Sequence, residues 1–128
     1  MPTSITPFAK ALYLCDGAIG FLNQKTDIMG LFNSIRPQQY PHVQSQFVVF
    51  AQLCGGLGQV PFFVNVSFAA TGQIVHTTPA RLLRFARRTQ VVQLSATVYG
   101  IPFSQPGAYL VELFCCGICV ADTTLELF

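Results

Sequence analysis

"VPFFVNVSFAA", Val60 to Ala70, alternates with a period of two. Val60, Phe62, Val64, Val66 and Phe68 form one stripe, and Asn65 and Ser67 lie opposite it. A helix brings every third or fourth residue to one face, whereas a strand alternates. β-Branched and aromatic residues in this spacing therefore read as a half-buried strand. The pattern recurs on either side. In "VQSQFVVFAQLC" (43–54), Ser45, Phe47, Val49, Ala51 and Leu53 share a face, while Gln44, Gln46 and Gln52 share the other with Val48 and Phe50. "TQVVQLSATVYG" (89–100) opposes Val92, Leu94, Ala96 and Val98 to Gln93, Ser95 and Thr97. Near the end, Cys119, Ala121, Thr123, Leu125 and Leu127 oppose Asp122, Thr124 and Glu126.

Glycine and proline punctuate these runs at Gly55-Gly56, Thr71-Gly72, Pro102, Pro106-Gly107 and Gly117. Strands are expected near 9–15, 26–35, 43–54, 59–70, 73–78, 90–99, 108–115 and 118–127. Seven or eight short, mostly antiparallel strands at this spacing make an all-β sandwich, because two sheets face to face bury one stripe from each strand. The 128 residues read as a single domain, 1–128, with an extended N-terminal arm over 1–8. One stretch resists. "TTPARLLRFARR" (77–88) offers Thr78 as an N-cap and Pro79 as a first helical residue. Leu82, Phe85 and Ala86 then line one helical face, and Arg81, Arg84 and Arg88 another. A short helix near 79–88 and a strand with an arginine-rich rim both fit.

Tyr109 follows Pro106-Gly107 and opens an apolar strand. In immunoglobulin-like sandwiches a tyrosine at such a corner returns its hydroxyl to nearby backbone. "LCDGAIGFLNQKTDIMGLFNSI", then Tyr40-Pro41, then "FAQLCGGLG", then "IPFSQPGAYLVELFCCGICVA" occur in that order over roughly residues 9–127. Together they resemble a bacterial family of short, uncharacterised domains, a domain of unknown function. That family has Cys-Asp near its start and a PG-x-Y corner before its last hairpin. The resemblance implies an immunoglobulin-like β-sandwich and brings no activity or catalytic residues. The chain departs from it at Cys115, Cys116, Ile118 and Cys119, where family members usually carry polar or acidic residues.

Composition bears on function. Hydrophobic residues make up 52% of the chain and charged residues 9%, against roughly 25% charged in an ordinary globular domain. So few ionic groups leave much neutral or apolar surface, and burying it against copies of the same chain is the simplest resolution. The expectation is a non-enzymatic structural or interaction protein that forms a homo-oligomer or larger assembly. A net charge of +2 does not by itself imply a nucleic-acid partner. No apolar run reaches the ~20 residues of a membrane span. Lys10 and Asp16 interrupt the first apolar stretch, so it does not read as a signal peptide. A cytoplasmic location with reduced thiols follows as the expectation.

Candidate chemistry is sparse. Cys116 and Cys119 have C-x-x-C spacing, with Cys115 adjacent. The spacing suits zinc or dithiol redox chemistry, but a four-ligand metal site would also need Cys15, Cys54, His42 or His76 to converge, and a redox pair normally sits at a helix N-terminus. The alternative is a tight turn at Gly117 flanked by small buried thiols. Neighbouring strand residues face opposite ways, so Cys115 and Cys116 are not expected to share one core. Arg81, Arg84, Arg87 and Arg88 form a basic cluster, read as a charged edge, an interface to acids such as Asp122 or Glu126 of a neighbouring copy, or an anion- or nucleic-acid-binding surface. A Cys54–His76 dyad would be spatial rather than sequential. Gly55-Gly56-Leu57-Gly58 lacks the lysine of a phosphate loop and reads as a turn. No cofactor is implied. Assembly candidates are Pro7 and Phe8 in the arm, which could add a strand to a neighbour, the arginines, and Cys116 and Ile118.

Overall fold

The computed structural model describes residues 4–20 and 25–128. Ten strands account for the regular structure: β1 (Phe8–Gly20), β2 (Thr26–Phe32), β3 (Ser34–Ile35), β4 (His42–Cys54), β5 (Gly58–Phe68), β6 (Ile74–Thr77), β7 (Arg81–Phe85), β8 (Val92–Phe103), β9 (Gly107–Cys115) and β10 (Ile118–Leu127). They form two sheets, β2-β1-β4-β8 and β3-β10-β9-β5-β6, with β7 also pairing with β5. Every pairing is antiparallel except β3 with β10. No helix occurs among the described residues, so none is long and apolar enough to cross a membrane.

The order is that of an immunoglobulin-like β-sandwich. β1, β4 and β8 occupy the places of strands A, B and E, and β5, β9 and β10 those of C, F and G. The expected stripes meet between the sheets. Phe47, Val49, Ala51 and Leu53 of β4 and Leu94, Ala96 and Val98 of β8 face Val60, Phe62, Val64 and Val66 of β5 and Tyr109, Val111, Leu113 and Cys115 of β9. All are at most 5% exposed. Burying each large side chain is worth roughly 2 kcal/mol.

The fold has more strands than the seven or eight expected. The run 26–35 is two strands, because the chain crosses at Asn33 from one sheet to the other. The helical alternative for 79–88 is overturned. Arg81–Phe85 pairs with Gly58–Phe62, and Phe85 is 1% exposed in the core. A helix here would have left that length of β5 unpaired. Pro79 instead marks a break in one edge strand running through β6 and β7. At the break Thr78 donates its N–H to the Val64 carbonyl (2.9 Å), and its hydroxyl accepts the Val64 N–H (2.8 Å).

β8 runs past its expected end at 99. Gly100, at φ +62, shifts the phase of alternation, so that Ile101 and Phe103 reach the core while Tyr99 is exposed. Opposite that shift Ser45 is exposed rather than in line with Phe47. The arm folds onto its own chain, with Ile5 and Leu57 exchanging backbone hydrogen bonds of 2.9 and 3.2 Å. Pro7 is buried, and the half-exposed Phe8 ring lies against Gly55. Residues 1–3 of the expected arm lie outside the described residues.

Candidate functional site

β4 is apolar on both faces, which its glutamines partly disguise. Phe47 and Val49 enter the main core, yet Val48 and Phe50, on the other face, are also buried, at 7% and 4% exposed. With Cys15 and Ala18 they form a second apolar cluster. The hairpin of β1 and β2 supplies the cover. Leu14 and Phe32, paired at its base, still touch the main core. Beyond them Gly30 sits at φ +67, and a side chain on it would collide with Asp16. From this point the hairpin lies over the outer face of the first sheet as a flap. Its Thr26 hydroxyl donates to the side-chain carbonyl of Gln93 on β8. Gly20, Lys25 and Thr26 line one open cavity of about 580 Å³ with Arg84 and residues 90–93.

The flap exposes apolar side chains. Ile19, Ile28, Met29 and Leu31 are 37–61% exposed, and Tyr13 near its base is 44% exposed. These residues were absent from the sites expected from sequence. The available signal was Val48 and Phe50 among polar neighbours: a strand that is apolar on both faces needs a cover on each.

The cysteine hairpin is a turn. Cys116 and Gly117 have φ values of 52° and 76°, and Cys115 pairs with Ile118. Positive φ at both central residues is the signature of a type I′ turn. Cys115 is fully buried, and burial, with a smaller contribution from Cys116, pushes its thiol up to about 11. The expectation that Cys115 and Cys116 cannot share a core is corrected. Cys116 packs partly buried against the same core, because it stands in the turn rather than on the strand. Its N–H donates to the Pro61 carbonyl at 2.9 Å.

Cys119 is exposed, not in the buried stripe with Leu125. A bulge between Cys119 and Ala121 breaks the alternation, and Cys119 stands opposite Phe114. Partial burial, then the Glu112 carboxylate, raises its pKa. All five cysteines are free, and among the described residues no group of three or more His, Cys, Asp or Glu is placed to hold a metal. Cys54 and His76 are not brought together. Cys54 ends β4 beside the turn into β5, and His76 pairs with Val66 toward the other end of β5.

The arginines disperse. Arg81 lies 5.9 Å from the centre of the Phe62 ring, in a cleft of about 350 Å³ that His76 and Tyr99 also line. Arg84, an odd number of strand positions away, lines the cavity shared with Gly20 and Thr26 of the flap. Arg88 donates its Nε–H to the Gly55 carbonyl at 2.9 Å, holding the β4–β5 turn. Arg87 lies in the turn before β8, where its carbonyl accepts from Gln90 N–H at 3.1 Å. No ion pair joins these arginines to a carboxylate among the described residues.

At the corner before β9, Tyr109 is 1% exposed and donates its hydroxyl to the Gln105 carbonyl four residues upstream, at 2.8 Å. Pro106 and Gly107 form the turn between them, and Gly107 has φ +135 with the Phe68 ring against it. A family model described as a family of unknown function, DUF6941, matches residues 10–127. The chain belongs to DUF6941. The match spans the flap, the Tyr109 corner and the cysteine hairpin, so all three lie within the DUF6941 region. No curated protein matches the sequence.

Proposed function

We propose that this DUF6941 chain is a non-catalytic interaction domain that associates with copies of itself in a bacterial cytoplasm. The flap carries the reading. Ile19, Ile28, Met29 and Leu31 present apolar side chains to solvent from a hairpin that already covers a second core. Exposed apolar side chains of this kind on a chain with 9% charged residues favour a contact that removes them from water.

Size-exclusion chromatography with light scattering tests the proposal. The mass should rise above that of one chain with concentration, and Leu31→Glu and Met29→Glu should shift it toward the protomer while the circular dichroism spectrum stays that of a β protein. A protomer mass at every concentration overturns the proposal.

A further inference from the structure

Four sheet edges are open to solvent, and three of them are guarded. β2 carries Asp27 and the left-handed Gly30. The β6–β7 edge carries Pro79, Arg81 and Arg84. β10 carries Asp122, Glu126 and a bulge, and β3 covers its last residues. Charge, proline and irregularity are the devices by which edge strands avoid pairing with other chains. β8 has none of them from Val92 to Tyr99, and only at Gly100 and Pro102 does its edge become irregular.

Among the described residues no other strand occupies the outer edge of β8, which pairs with β4 alone. Open clefts flank the opposite side, lined by Val91, Val92 and Gln93 with Lys25 and Arg84 at one end, and by Ala96, Thr97 and Tyr99 with Arg81 of the facing sheet at the other. A row of unpaired N–H and C=O groups is a template for another strand.

We propose that two copies join through β8, strand against strand and antiparallel, about a two-fold axis. This rests on the self-association reading and names its surface. In a two-fold contact each residue meets itself or its near neighbour from the second copy, so any charge near the axis faces a like charge. β8 is the open edge whose own residues carry no charge, and Ser95 and Thr97 supply side chains that hydrogen-bond equally well to their own kind. The product is one eight-stranded sheet, β2-β1-β4-β8 continued by its symmetric copy. The Thr26–Gln93 hydrogen bond sets the Thr26 end of the flap beside this edge.

The test uses two variants of the full chain, Ser95→Lys with Thr97→Lys, and Ser95→Glu with Thr97→Glu. An axis at 96 sets 95 opposite 97, and an axis at 95 or 97 sets one of the two positions opposite itself. Light scattering should show each variant alone associating at least tenfold more weakly than wild type, and an equimolar mixture recovering the assembly through Lys–Glu pairing. Recovery also shows that both variants are folded. If wild type is a protomer, the self-association reading fails with this one. If wild type associates and each variant alone does so equally well, the β8 contact is wrong and the reading survives. Weakened variants whose mixture shows no recovery also overturn the β8 contact.

Discussion

Thr26 and Gln93 are hydrogen-bonded although β1 and β4 lie between their strands in the sheet. Only a hairpin lying over the sheet's outer face can make that contact, and it is what buries Val48, Phe50 and Cys15. Thr26→Val should therefore release the flap without unfolding the sandwich. Amide exchange in β1 and β2 beyond Gly17 should accelerate, while the denaturation midpoint should change by no more than the ~1 kcal/mol of one hydrogen bond. Unchanged exchange would mean that the flap is held by its apolar underside alone.

Phe50→Ala tests that underside. The ring is 4% exposed and lies in the small cluster, away from the main core. Truncation of a buried phenylalanine costs roughly 3–5 kcal/mol. The lower end is expected here, because the flap can settle into the space. Urea denaturation measures it.

Tyr109→Phe removes the hydroxyl that meets the Gln105 carbonyl but keeps the ring packed edge-on against Phe103, at 4.8 Å between centroids. A loss of about 1–2 kcal/mol with an unchanged denaturant slope is expected. A neutral result would show that the ring, not the hydrogen bond, makes the corner.

The thiols should separate by position. Cys119 is exposed and should alkylate first, whereas Cys15 and Cys115, fully buried, should react only as the protein opens. Cys115 also links stability to pH. Its thiol is raised from an ordinary 9.0 to about 11, so the folded state keeps a proton that the unfolded chain releases. The stabilisation is complete below pH 9 and declines as pH rises toward 11, by on the order of 2 kcal/mol. Cys115→Ala should flatten that part of the pH profile relative to wild type.

Glycine substitutions should rank by what surrounds them. Gly117, at φ +76, has open space around it, so Gly117→Ala should cost only the ~1 kcal/mol of left-handed backbone. Gly30, at φ +67, faces the Asp16 side chain, so Gly30→Ala should cost more and loosen the flap as well. Comparing the two midpoints, with exchange in β2, separates strain from crowding.

Period-two stripes were enough to identify the strands, the main core and the sandwich, because inward and outward residues alternate wherever a strand has one wet face. Tyr109 after Pro106-Gly107 was legible for a similar reason: the corner is local, closed within a few residues. Cys119 was misplaced because a bulge leaves no mark on composition, and one extra residue turns everything before it to the other face. The 79–88 stretch carried both periods at once, and the open edge of β5 decided between them.

Alternation and turn residues, both short-range, thus specified which residues are strands and which stripe is buried. Which sheet each strand joins, where the flap lies, how the arginines scatter and which edge is left unguarded depend on contacts between residues far apart in the chain. Those contacts follow from burying all the apolar stripes together, and no local pattern encodes that requirement.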